Sequence, residues 1–204
     1  MRNKKILRLA ECAVRIALAF ALSYVRLWKM PLGGSITLCS MLPIMFIGIK
    51  HGPLWGLGTG FIYSLTQLFQ GLIEGDVSVM SMSAGVFTVA VLFDYVVPFT
   101  VLGLSGIFGK RRRFAPYLGM GAVVTARFIC HYLTGVTIWA QWTPDGWSTW
   151  IYSAAYNAGY LLPDLAICMA VAVLMLQVKE IRRLVGIRWA DEKPEEVADE
   201  KADS

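Results

Sequence analysis

Residues Ile151–Val178 read IYSAAYNAGYLLPDLAICMAVAVLMLQV, with one carboxylate (Asp164), no lysine or arginine, and Lys179, Arg182 and Arg183 just beyond. About 20 predominantly apolar residues cover the hydrocarbon core of a bilayer as a helix, so this run is long enough to cross one. The basic residues at its end mark where such a helix would leave the lipid.

Working outward, the same pattern recurs. Apolar runs extend over about Ile6 to Leu27, Ile36 to Ile49, Pro53 to Ile73, Ser83 to Phe108 and Ala115 to Ile138. Short breaks separate them: the turn-rich Met30-Pro31-Leu32-Gly33-Gly34-Ser35, then Lys50-His51-Gly52, Glu74-Gly75-Asp76, Gly109–Arg113 and the aromatic loop Trp139–Trp150. Proline and paired glycines oppose a continuous helix through the first of these. Over the 204 residues only 16% are charged and 56% are hydrophobic, whereas soluble domains carry about 25% charged residues. The sequence therefore predicts an all-α integral membrane protein, a bundle of six transmembrane helices. Residues 1–178 form the membrane domain. Residues 179–204 form a charged cytoplasmic tail, too poor in apolar residues to build a core and disordered after the helix end.

Orientation follows from the loops. One side receives the N-terminal cluster (Arg2, Lys4, Lys5), Lys50, Lys110–Arg113 and the tail. The other receives Arg26 and Lys29 with the acidic Glu74, Asp76 and Asp145. Cytoplasmic loops carry the excess of lysine and arginine, so both termini are expected in the cytoplasm and the aromatic loop outside. Small residues recur at helix-packing spacing, Ala13, Ala17 and Ala21 on the first run and Gly56 and Gly60 on the third. Such faces allow close backbone approach, either within the bundle or against a partner subunit. Ala13 and Ala17 are the candidate docking residues.

Several function classes drop out. The net charge of +5 comes from basic residues that flank spans rather than form a stripe, so no nucleic acid is expected. Cys12, Cys39, Cys130 and Cys168 make no CxxC pair and show no zinc spacing, so they read as buried thiols with no metal site. Gly109-Lys110 is followed by Arg111 rather than Ser or Thr, so there is no P-loop. Metalloprotease, nucleophile-elbow and dinucleotide fingerprints are missing too. No catalytic residues and no cofactor are expected.

What remains is a set of ionisable residues inside the spans, costly there and therefore functional candidates. Arg8 and Glu11 lie near the cytoplasmic interface, and Arg15 is within snorkelling reach of it. Asp94, Arg127, His131 and Asp164 lie deeper. Arg127 and His131 are four residues apart and share a helix face. A structural pairing of Arg127 with Asp164 or with Asp94 would account for the charges. The outer ends of the last two runs add Trp139, Trp142, Trp147, Trp150, Tyr152, Tyr156, Asn157 and Tyr160. An interfacial aromatic belt explains several of these, but explains the amide of Asn157 poorly. Aromatic rings beside a carboxylate are how proteins hold flat organic cations. The chemistry thus predicts a pocket near the outer surface for a flat, polar, cationic small molecule.

Five stretches, in order, resemble one family: Met30–Pro43, Leu92-Phe-Asp-Tyr-Val-Val-Pro98, Arg127-Phe-Ile-Cys-His-Tyr132, Ile138-Trp-Ala-Gln-Trp142 and Tyr152-Ser-Ala-Ala-Tyr-Asn-Ala-Gly159. The chain is similar over about residues 8 to 178 to the thiamine-binding S components (the ThiT family) of energy-coupling factor (ECF) vitamin transporters. The resemblance implies that Asp94, Tyr95, His131, Trp139, Tyr152 and Asn157 surround thiamine. It also implies that Ala13 and Ala17 dock a membrane coupling subunit (the T component), which works with two ATPase subunits in the bacterial plasma membrane. Some members carry Glu where this chain has Asp94, and a Trp in the first outer loop where it has Gly33-Gly34-Ser35. The alternatives are an S component for a thiamine precursor or another vitamin, and an intramembrane enzyme using Asp94 and His131.

Overall fold

The computed structural model describes residues 2–75, 83–187 and 189. Seven helices dominate the described residues: α1 (Arg2–Ser23), α2 (Leu42–His51), α3 (Pro53–Glu74), α4 (Ala84–Gly106), α5 (Ala115–Thr137), α6 (Thr149–Gln177) and the short α7 (Lys179–Leu184). Two of them, α4 and α6, are long and apolar enough by composition to cross a membrane. The helices α1, α3 and α5 have 22, 22 and 23 residues, about 33 Å each at the helical rise. Large apolar side chains stand out from the surface, Leu54 and Leu174 among them, as expected where the solvent is lipid rather than water.

Two expectations from the sequence are corrected here. The protein is not purely α-helical. The first run ends at Ser23, and the chain then forms a two-stranded antiparallel hairpin of β1 (Arg26–Lys29) and β2 (Ser35–Thr37), paired Arg26 to Thr37, Trp28 to Ile36 and Lys29 to Ser35. Its tip turns through Gly33 and Gly34 at φ 89° and 81°, a region that glycine enters without steric cost. The second run likewise splits into β2 and a ten-residue helix, α2. At about 15 Å that helix reaches only half way through a bilayer core, and it is wrapped by its neighbours with Leu42 to Ile49 all buried.

The centre is built on glycine. Helix α2 packs on α3 and on the second half of α4, which also contacts α5. A β-carbon at Gly103 would collide with the backbone carbonyl of Gly56, and one at Gly56 with that of Gly103. Backbones in this contact are as close as chemistry allows, the arrangement small residues make possible in membrane bundles. Gly56 and Gly60 therefore serve packing inside the body, whereas Ala13, Ala17 and Ala21 of α1 remain exposed. Around this contact lie Met41, Ile44, Met45, Tyr63, Leu102 and Met120, all fully buried.

At the end opposite the hairpin, Glu11 of α1 gathers the Lys50 Nζ (2.8 Å), the His51 Nε2 (2.9 Å) and the Arg15 guanidinium (3.0 Å), tying α1 to α2. Packing continues past position 178, where the sequence reading ended the membrane domain. Helix α7 turns the chain back, and Val185 and Ile187 are buried in the core cluster. Asp76 and residues 190–204, which figured in the loop and tail assignments, lie outside the described residues.

Candidate functional site

Helix α4 is irregular where it matters. Pro98 has no N–H to donate to the carbonyl four residues back, and its ring crowds that carbonyl. The residue four back is Asp94. The helix responds by widening to π-helical winding over Val91–Val96 and tightening to 3-10 winding over Val101–Gly106. Such π-turns recur at functional positions because they turn a side chain out of the regular ladder.

The Asp94 carboxylate accepts three hydrogen bonds. Oδ1 receives the His131 Nδ1–H (3.2 Å) and the Thr134 hydroxyl, and Oδ2 receives the Trp139 indole N–H (2.8 Å). The far side of the His131 ring fixes its tautomer. Arg127 Nε, which can only donate, points at His131 Nε2 across 3.2 Å. Nε2 must therefore be the acceptor, and Nδ1 carries the hydrogen given to Asp94. An arginine cation, a neutral imidazole and a carboxylate thus line up, with opposite charges bridged by the ring.

Arg127 does not pair with Asp164 or Asp94 as the sequence suggested. Among the described residues it has no carboxylate within 4.0 Å; its guanidinium lies over the Phe99 ring (4.1 Å to the centroid) and donates to Met41 Sδ (3.0 Å). Asp164 is satisfied elsewhere, accepting the Thr37 N–H and hydroxyl, each at 3.0 Å. Its role is to fasten β2 to α6.

These groups line a cavity of about 170 Å³ at the hairpin end of the molecule, and all six sequence-predicted residues, Asp94, Tyr95, His131, Trp139, Tyr152 and Asn157, face it. Leu32, Gly33, Gly34 and Ser35 of the hairpin form one wall. Tyr156 holds that wall, with its hydroxyl accepting the Leu32 N–H (2.9 Å) and donating to the Gly33 carbonyl (2.8 Å). Tyr152, Tyr156 and Tyr160 follow one another along α6 with ring centroids 5.8 and 6.3 Å apart. Asn157 is engaged by protein on both ends of its amide. Nδ2 donates to the Ser153 carbonyl (2.9 Å) and the His131 carbonyl (3.3 Å), and Oδ1 accepts the Tyr160 hydroxyl (3.0 Å). It joins α6 to α5 directly behind His131.

A polar branch of the cavity lining is formed by Ser23 of α1 with Gln67 and Gln70 of α3. At its mouth Glu74 receives a bidentate pair from Arg26, the Lys29 ammonium (2.8 Å) and the Gln70 amide (3.1 Å). Glu74 ends α3, beyond the apolar run, and the Arg26 guanidinium, helped by Lys29 and Gln70, pulls its carboxyl down to about 2. Sequence reading missed Thr134 and this branch, and it counted Tyr156 among the outer aromatic residues without placing it against the hairpin. Thr134 was within reach, three residues after His131 on the same face. Gln67, Gln70 and Glu74 share a face of α3 in the same way, but nothing local says that the face meets a cavity.

The sequence matches the family described as thiamine transporter protein over residues 9–184. The chain belongs to that family. The thiamine transporter ThiT of Bacillus subtilis (strain 168) is 30% identical over 188 residues, 85% of this chain and 92% of that protein. ThiT of Lacticaseibacillus paracasei is 23% identical over 193 residues, covering 87% and 90%. The fold agrees with the solved structure of ThiT from Listeria monocytogenes at a TM-score of 0.68, with 21% identity, over 87% of this chain and 97% of that one. Membership places the chain among membrane transporters and not among enzymes. The alternative of an intramembrane enzyme using Asp94 and His131 is thereby set aside.

Proposed function

We propose that this chain is the substrate-binding S component of an ECF-type importer and captures thiamine at the extracellular side of the bacterial plasma membrane. In this reading the body spans the bilayer six times, with the hairpin outside and both termini in the cytoplasm. The observation that carries it is the Asp94 carboxylate, held by three neutral donors at the wall of an aromatic cavity, with no lysine or arginine in ion-pair contact among the described residues. A half-buried carboxylate in a site walled by rings attracts a flat cation by charge and by ring quadrupole together.

Thiamine has the required parts, a permanently cationic thiazolium and an aminopyrimidine with hydrogen-bonding edges. Asp94 opposes the charge or accepts from the amino group. His131, Trp139 and Tyr152 offer ring faces, and Tyr95 offers a hydroxyl. Asn157 acts by holding α5 and α6 at the spacing the ring needs. The polar branch at Ser23, Gln67 and Gln70 suits the hydroxyethyl arm. Thiamine is cargo and leaves unchanged. The exposed Ala13–Ala17 face of α1 is where a T component would dock, and two ATPase subunits would supply the energy that this chain, without a P-loop, cannot extract from ATP.

Thiamine titration of the purified protein, followed by quenching of its seven tryptophans, tests the reading. Wild type should saturate tightly. Asp94→Asn should weaken binding by roughly 10- to 100-fold, the value of a hydrogen bond to a charged group. Unquenched fluorescence in folded wild-type protein would sink the thiamine assignment and leave the fold standing.

A further inference from the structure

A second carboxylate lines the cavity below the first. Asn157 of α6 is level with His131, whose carbonyl it binds, and Asp164 follows on the same helix about 10 Å further from the helix start at the helical rise. Its side chain is buried, with 3% of the residue exposed, yet it lines the cavity. Only one of its oxygens is occupied. Oδ1 accepts both the N–H and the hydroxyl of Thr37, each at 3.0 Å. Oδ2 receives no hydrogen bond from the described residues and is not sealed inside the protein. A buried carboxylate oxygen without a donor costs free energy, and a group that removes the cost must bring an N–H or O–H.

The neighbouring polar groups are committed elsewhere. The Thr37 hydroxyl is shared between Asp164 Oδ1 and the Ser40 hydroxyl at 2.7 Å. Arg127 directs Nε to His131 and a terminal nitrogen to Met41, and both ends of the Asn157 amide are engaged. Asp94 differs from Asp164 in kind. Three donors already surround it, so it offers charge more than an open lone pair, whereas Asp164 offers the lone pair. We propose that Asp164 Oδ2 accepts the amino N–H of the ligand's aminopyrimidine and sets the cavity's preference for an amino over an oxo pyrimidine, with Asp94 facing the thiazolium. This inference rests on the thiamine reading. Thiamine carries one permanent cation and one neutral N–H donor on its two rings, and the cavity meets them with two carboxylates at two levels. A site built to bond a substrate N–H rejects an analogue lacking it, because its buried acceptor is then left unpaired.

The test is calorimetric titration of the purified full chain with three ligands: thiamine, oxythiamine (the 4-amino group replaced by oxo) and pyrithiamine (the aminopyrimidine kept, the thiazolium replaced by a pyridinium). Wild type should bind oxythiamine at least about 10-fold more weakly than the other two, the lower value of a hydrogen bond to a charged group. Asp164→Asn keeps an oxygen for the Thr37 N–H and puts an amide NH2 in place of Oδ2. Thiamine and pyrithiamine should then lose roughly 10- to 100-fold while oxythiamine holds or gains, so the preference disappears. Asp94→Asn should weaken all three and keep the preference. A purely structural role for Asp164 would instead expose the Thr37 amide to faster hydrogen exchange and weaken all three ligands together, and that result overturns the proposal. Equal binding of thiamine and oxythiamine by wild type overturns it as well, without recourse to any variant. Failure of folded wild type to bind thiamine at all is a separate result, which removes the thiamine reading and this inference with it.

Discussion

Replacing Tyr156 by Phe removes one oxygen and tests how the hairpin wall is held. That hydroxyl accepts the Leu32 N–H at 2.9 Å and donates to the Gly33 carbonyl at 2.8 Å, while the ring contacts to Tyr152 and Tyr160 survive the change. Each hydrogen bond has a net value of about 0.5–1.5 kcal/mol. The Leu32 bond is exposed to solvent, so the lower half of the range applies, and the pair sums to about 1–2 kcal/mol. The open state of the hairpin tip should therefore gain about 5- to 30-fold in population. Two measurements read it. Amide hydrogen exchange at Leu32, whose N–H loses its acceptor, should accelerate by that factor in the unliganded protein. The thiamine dissociation rate, followed by tryptophan fluorescence in stopped flow, should rise similarly while association changes little, since contact losses are expressed mainly in dissociation. Unchanged exchange at Leu32 would refute the anchoring argument whatever happens to binding. Faster exchange with unchanged dissociation would show that the wall is held by Tyr156 but does not retain the ligand.

Three further outcomes are expected. Thr134→Val deletes one of the three donors to Asp94 at nearly constant volume. It should weaken thiamine binding by roughly 5- to 30-fold, about 1–2 kcal/mol, with little change in melting temperature; calorimetric titration checks both. Gly103→Ala forces a methyl into the Gly56 carbonyl, and because backbone rather than a side chain must move, the cost should exceed about 2 kcal/mol. A melting temperature within a degree or two of wild type would contradict the close packing of α3 on α4. Glu74, held near 2 by Arg26, lies below the ordinary 4.5, so its contribution is full above pH 4.5 and is lost as pH falls from there toward 2. Hairpin amides from Arg26 to Thr37 should lose protection across that window in wild type and show no such step in Glu74→Gln.

The sequence by itself determined the solvent of the protein and named six of the residues that line its cavity. Long uncharged runs have one physical explanation, and polar residues left inside them must have partners, so Asp94, His131 and Asn157 stood out before any coordinates, with Trp139 beside them in the outer aromatic group. Tertiary structure decided the remainder. Composition could not tell that Ile36–Ile49 would divide into a strand and a half-length helix, because an apolar run is compatible with either and only the surrounding wrap of α1, α3 and α4 stabilises so short a helix. Charge counting paired Arg127 with a carboxylate. In the folded protein Phe99 and Met41 take its guanidinium, and an imidazole relays its remaining donor to Asp94. Pairing depends on distance in three dimensions, and spacing along the chain reports distance only within one helix. For the same reason Arg127 and His131 were legible as neighbours, whereas the meeting of Tyr156 with the hairpin tip, 123 residues away in sequence, was not.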